Sequence, residues 1–174
     1  GELGRVFGYR LEVVKKERYQ DQDISSSLIR EELEAGNMET VNNLLGYTFS
    51  VSGEVLHGRQ IGRTLGMPTT NLVPSTRKLL PPNGVYVSVT VIDGKRHPGI
   101  TNIGYNPTIG EKFKGVETHI FDFDEDLYGR DIEVKLLHYR RPEQKFSSRE
   151  ELKTQMENDI AFGREFFHES GING

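Results

Sequence analysis

Residues 84–94, GVYVSVTVIDG, decide the architecture. The run is rich in β-branched and aromatic residues, which favour a pleated, half-buried strand. It ends in Asp93-Gly94, the strongest short signal for a β-hairpin, because both positions tolerate the positive φ of a tight primed turn. Residues 47–55, YTFSVSGEV, carry the same period of two, with Tyr47, Phe49, Val51 and Val55 on one face. VETHIFDF (116–123) and DIEVKLLHY (131–139) also alternate. Strands at short spacing with turn residues between them predict an antiparallel β-barrel.

The ends of the chain read differently. Ser148 and Glu151 have capping-box spacing, and Leu152, Met156 and Ile160 then recur every four residues. That pattern predicts a terminal amphipathic helix lying against the barrel. Upstream, YRLEVV (9–14) reads as a short strand. ISSSLIREELEAGN (24–37) reads as a helix entered through serines, with Leu28, Ile29 and Leu33 as its apolar stripe. Gly36 and Asn37 stop it, and METVNNLLG (38–46) is a second short helix ended by Gly46. A strand and two short helices cannot enclose a core alone. This segment either packs on the remainder or is the tail of another domain. The expected division is therefore 1–46, a short α/β piece, and 47–174, a mainly β domain with a C-terminal helix.

Composition bounds the function. The 174 residues carry a net charge of −4, and the basic residues are scattered. A nucleic-acid-binding surface is disfavoured as the main role. There is no cysteine, so disulfides, zinc thiolate sites and cysteine nucleophiles are excluded. No apolar run approaches the roughly 20 residues that span a bilayer. The first residues do not resemble a signal or transit peptide, so a reducing cytoplasm is the default compartment.

Several stretches carry possible chemistry, and each also has an ordinary reading. Gly58, Gly62 and Gly66 with Arg59 and Arg63 form a glycine-rich arm. Glycines let backbone N–H groups approach phosphate oxygens, and arginines neutralise them. The ordinary reading is a mobile hairpin loop. No GxxxxGK[ST] is present, so this is not a P-loop. After Pro68 the chain is extended, so Thr69 and Asn71 point the same way and present two hard, neutral oxygens. Mg²⁺ accepts such oxygens when nucleotide phosphates supply the charge. The ordinary reading is a strand end with local side-chain hydrogen bonds. Glu117 heads a face continued by His119, Phe121 and Phe123, which places it at the barrel mouth or inside the barrel. There it could take a proton from a hydroxyl, although a lone strand-end glutamate is commonly just exposed. His119 reads as a residue that orients a neighbour or is simply packed. LYGRD (127–131) is a turn with Tyr128 at its tip. YRRPEQKF (139–146) places Arg140, Arg141 and Lys145 before the last helix, where they are otherwise a solvated cluster.

The order of these stretches along the chain strongly resembles the riboflavin kinase family, most of all the kinase module of bacterial bifunctional riboflavin kinase/FMN adenylyltransferases. The resemblance covers about Tyr47 to Phe167. It rests on the arm, GMPTTN, NGVYVSV, TNIGYNPT, VETHIFDF, LYG and RRPEQKF. Residues 23–46 resemble the end of the adenylyltransferase domain, whose Ile-Ser-Ser-x-x-Ile-Arg loop assists nucleotide phosphates. The match falls on Ser25, Ser26 and Arg30. The HxGH-type motif of that domain's nucleotide-binding half is not in the sequence, so residues 1–46 are expected to be a remnant.

The resemblance implies a riboflavin kinase-like barrel of Greek-key type. It implies ATP-dependent phosphorylation of riboflavin to FMN, with Mg²⁺ accompanying ATP. Glu117 would be the general base. Thr69 and Asn71 would hold the metal and the ATP phosphates, and Gly58, Arg63 and Gly66 would belong to the nucleotide flap. Asn102, Tyr128 and Arg141 would serve the flavin side, with Asn106 a further lining residue. Two positions depart from the family pattern. Thr70 stands where alanine is usual, and Met67 stands where an aromatic or aliphatic residue precedes the proline. Strand alternation turns Thr70 away from the metal. Two rival readings are a non-catalytic flavin- or nucleotide-binding barrel and an OB-like barrel for single-stranded nucleic acid. The second would show aromatics on a basic sheet face.

Overall fold

The structure is a computed structural model that describes residues 2–10, 12, 15–58, 61–105 and 114–172, with only the backbone described at 2–4, 61 and 63. Chain order gives α1 (Glu2–Phe7), β1 (Arg18–Tyr19), β2 (Gln22–Asp23), α2 (Ser26–Ala35), α3 (Met38–Leu45), β3 (Ser50–Leu56), α4 (Ile61–Thr64), β4 (Thr70–Leu72), β5 (Gly84–Ile92), β6 (Lys95–Tyr105), β7 (Lys114–Ile120), β8 (Asp131–Pro142) and α5 (Arg149–Ser170). The expected strand at YRLEVV falls partly on residues outside the described set.

Strands β3-β4-β7-β6-β5-β8 close into one barrel, and all its pairings are antiparallel. Asp93 and Gly94 take positive φ values of 49° and 78° in the β5–β6 turn, as the Asp-Gly signal requires. The interior is apolar and includes Val51, Val55, Leu72, Tyr86, Ile103, Val116, Val134 and Leu136. It also holds a short ladder of hydroxyls. Thr101 Oγ1 lies 2.7 Å from Ser88 Oγ and 2.8 Å from Thr118 Oγ1. On the outer face, Val85, Val87, Ile100 and Phe121 form a second cluster with Ile160, Phe162, Phe166 and Phe167 of α5. Gly163 permits this contact, because a Cβ there would lie 2.7 Å from Ile100 and 2.9 Å from Phe121.

Burial in β3 departs from the expected face at one position. Phe49, Val51 and Val55 are buried, but Tyr47 precedes the strand and is 65% exposed. The alternation of VETHIFDF likewise ends early. Asp122 adopts a left-handed φ of 53°, and the turn it makes sends Phe123 to the rim of the interior core, edge-on to His97.

The helices start and stop as their caps dictate. Ser25 caps α2 by accepting from Leu28 N, and Gly36 ends it in a left-handed conformation. Ser148 caps α5 by accepting from Glu151 N. The reciprocal arm of that box is displaced by one residue, since Glu151 accepts from the backbone and hydroxyl of Ser147. Helices α2 and α3 pack on the barrel. Leu33, Met38 and Val41 belong to the interior core, and Asn42 Nδ2 donates to Leu136 O of β8.

Candidate active site

Barrel register builds one lateral row of side chains. Asn71 of β4 lies opposite Glu117 of β7, Glu117 opposite Asn102 of β6, Asn102 opposite Val85 of β5, and Val85 opposite Arg141 of β8. Residues directly opposite in antiparallel strands share a face. Here it is the outer face, because Val116, Thr118 and Ile120 are buried inward while Val85 packs toward α5. Glu117 was expected at the barrel mouth or inside; it stands on the outer wall, and residue parity is the reason.

A cavity of about 300 Å³ lies over this row. Its apolar wall includes Val85, Ile100 and, from α5, Leu152, Met156 and Ile160. Its polar edge includes Thr69, Asn102, Glu117, His119 and Arg141. The helical stripe legible in the sequence is therefore both a docking face and a cavity wall. Thr69 Oγ1 donates to Glu117 Oε1 at 2.9 Å, so the hydroxyl and the carboxylate are in direct contact. His119 Nδ1 lies 2.9 Å from Pro68 O. A carbonyl only accepts, so Nδ1 carries the proton, and the bond pins the residue before Thr69. Thr70 points the other way, with its hydroxyl donating to Thr118 O at 3.3 Å.

A second cavity of about 190 Å³ opens at the barrel mouth among Val55, Pro68, Thr70, Thr118, Phe123, the acidic run Asp124-Glu125-Asp126, and Tyr128. Thr69 borders both cavities. The grouping of Tyr128 with Asn102 and Arg141 is not what the structure displays. Tyr128 lines this second cavity, and its ring stacks on His57 at 3.7 Å, just before the glycine-rich arm.

The arm is folded tightly against the Pro-Thr-Thr-Asn run. Met67 N donates to Gly62 O at 2.8 Å. A Cβ on Gly62 would collide with Met67 O, and one on Gly58 would collide with the amide of buried Asn71. Gly66 turns the chain with a φ of 78° and borders neither cavity. The side chain of Arg63, together with Arg59 and Asn106, lies outside the described residues.

Residues 45–167 match the riboflavin kinase (Flavokinase) family. The chain belongs to the riboflavin kinase family. It is 44% identical over 145 residues to the bifunctional riboflavin kinase/FMN adenylyltransferase of Escherichia coli K12, covering 83% of this chain and 46% of that protein. It is 39% identical over 150 residues to the Bacillus subtilis protein of the same description, covering 84% and 48%. The chain thus spans about half the length of the curated relatives it matches. Among solved structures it resembles a Streptococcus pneumoniae protein described as a macrolide-efflux protein, with a TM-score of 0.83 and 33% identity over 94% of this chain and 54% of the other. Among the described residues of this riboflavin kinase homologue, no helix is long and apolar enough to cross a membrane.

Three further polar residues, Glu143, Gln144 and Asp159, line the larger cavity, and Gln155 stands behind Asp159. Glu143 accepts from Asn83 Nδ2 at 2.8 Å, and its carboxylate sits where a Cβ on Gly104 would be. Gln144 lines the same edge. Asp159 pairs with Arg141, and Gln155 donates to Asp159 at 3.1 Å. Asp159 had a sequence signal that went unread: it is a charge set within the apolar 152-156-160 stripe, where it must be exposed or paired. Glu143 lies within the RRPEQKF stretch, but its seat on Gly104 was not legible there, because it depends on the packing of segments distant in sequence.

Proposed function

We propose that this chain is a riboflavin kinase that transfers the γ-phosphate of ATP to the 5′-hydroxyl of riboflavin, giving FMN. The observation that carries the reading is the Thr69–Glu117 contact at the border of two cavities. Phosphoryl transfer needs an acceptor hydroxyl, a base and a neutralised phosphate chain in line, and little covalent help from the protein. The larger cavity, apolar on one side and polar on the other, suits a flavin ring. Glu117, at its polar edge, takes the 5′-hydroxyl proton. The mouth cavity, which Thr69 also borders, and the adjoining arm are left for the nucleotide, so Tyr128, stacked on His57, is assigned to the nucleotide side. Gly58 carries no side chain that would crowd the Asn71 amide.

Thr69 and Asn71 fit a hard divalent cation. By donating its proton to Glu117, Thr69 leaves its oxygen lone pairs for a ligand, and Asn71 supplies an amide oxygen from the same face. No cluster of three or more acidic or histidine side chains suited to a metal occurs among the described residues. These donors therefore require the charge of nucleotide phosphates to hold Mg²⁺. When bound, Mg²⁺ supplies charge neutralisation for the transferring phosphate. Residues 1–46 are read as the tail of an adenylyltransferase domain, and the compartment as the cytoplasm.

The test is turnover by the wild type and by Glu117→Gln with riboflavin and Mg-ATP. Loss of a general base costs about 10²–10⁴-fold in rate. The variant should lose FMN formation by that order while still binding riboflavin. Near-native turnover in the variant would remove Glu117 from the mechanism. A barrel that binds flavin without turning it over is the alternative, and it predicts no FMN from either protein.

A further inference from the structure

The apolar stripe of α5 that walls the larger cavity is interrupted by Asp159, which is only 3% exposed. Its carboxylate accepts from Arg141 Nε at 3.0 and 3.1 Å and from Nη2 at 2.6 Å. Arg141 Nη1 donates to Pro142 O at 3.0 Å. A guanidinium carries N–H donors in a rigid planar fork. With Nε occupied and one N–H of each terminal nitrogen used among the described residues, one N–H remains on Nη1 and one on Nη2. Arg141 and Asp159 both line the cavity, and Arg141 is separated from Asn102 in the lateral row only by Val85.

We propose that Asp159 is a positioning residue for the ring-binding end of this cavity. It holds the Arg141 guanidinium in one orientation, so that the two remaining N–H groups are offered to a carbonyl-bearing neutral ring. It also cancels the arginine's charge, so that this end does not act as an anion site. Gln155 braces the carboxylate from the preceding helical turn. The inference rests on the riboflavin kinase reading, and it adds a residue on α5 that makes no demand on the phosphoryl-transfer end.

The decisive comparison uses Asp159→Asn and the exchanged pair Arg141→Asp with Asp159→Arg. Riboflavin binding is read by flavin fluorescence, and KM for riboflavin and for ATP by steady-state FMN formation. Melting temperature reports the fold. In Asp159→Asn, riboflavin affinity should fall roughly tenfold, as for a lost charge-assisted hydrogen bond, while KM for ATP stays within about twofold. The exchanged pair should recover the melting temperature but not the riboflavin affinity, because the guanidinium fork now projects from α5. Full recovery of both by the exchange, or equal loss of riboflavin and ATP affinity in Asp159→Asn, makes the pair merely structural and overturns the proposal. If the exchanged pair does not fold, the riboflavin-to-ATP split in Asp159→Asn decides alone. A wild type that makes no FMN overturns the functional reading and this inference with it. An active wild type with unchanged riboflavin affinity in Asp159→Asn overturns only this inference.

Discussion

Thr69, Thr70 and Asn71 are consecutive, yet extended backbone gives them separate neighbours. Thr69 meets Glu117, Asn71 is buried beneath Gly58, and Thr70 bonds to Thr118 O on the opposite side. Thr69→Ala or Asn71→Ala should therefore weaken Mg-ATP binding far more than riboflavin binding, since each removes one of few hard oxygen donors. Thr70→Ala should change either affinity by less than about twofold, because the hydroxyl, although in the wall of the mouth cavity, is turned to Thr118 O through a long 3.3 Å bond and away from Glu117. Titration of each ligand against the three variants checks this. Equal loss of both affinities in Thr69→Ala would indicate damage to the fold rather than to a metal site. The alternation that separates these roles was legible in the sequence, because a period of two follows from strand geometry alone. The contact of Gly58 with Asn71 was not, since it needs the arm folded back on β4.

Within the elements, two polar features test the packing of β5 and α5. Thr90 Oγ1 is buried and has no hydrogen-bond partner among the described residues, whereas Ser88, Thr101 and Thr118 satisfy one another. Removing an unsatisfied buried hydroxyl in favour of a group of the same shape is neutral to stabilising. Thr90→Val should raise stability by up to about 1 kcal/mol, while Thr101→Val should lower it by about 1–3 kcal/mol by stranding two hydroxyls. Urea midpoints of the two variants should move in opposite directions. At the start of α5, hydrogen bonds from the Ser147 hydroxyl and then its backbone hold the Glu151 carboxyl below its ordinary value. A carboxyl depressed in the folded state adds stability above its unfolded pKa and loses it as pH falls through the folded value. The stability gap between wild type and Glu151→Gln should thus be present at neutral pH and close in acid, as pH falls below about 4.5. A gap that widens in acid would contradict the assignment. Strands, caps and the apolar stripe of α5 were readable from local pattern. The outer-wall position of Glu117 was not, because period two says which residues share a face but not which face the helix covers.

The whole molecule joins a closed barrel to a pair of helices that lend Leu33, Met38 and Val41 to its core. Ser25 is engaged as the cap of α2, and Ser26 and Arg30 lie at or near the surface beside it. A serine and an arginine stabilise a transferring phosphate only when a nucleotide is already held in line, and neither cavity includes them. We therefore propose one phosphoryl transfer for this chain and no adenylylation. Arg30→Ala should leave FMN formation within about twofold of wild type, as for an exposed charge with no part in the cavities. The measurement that bears most directly on the central claim is chromatography of the purified chain after incubation with riboflavin and Mg-ATP, and separately with FMN and Mg-ATP. The account predicts FMN and ADP in equal amounts from the first mixture and no FAD from the second. Riboflavin that is bound but unchanged, or FAD formed in proportion to enzyme, would contradict it.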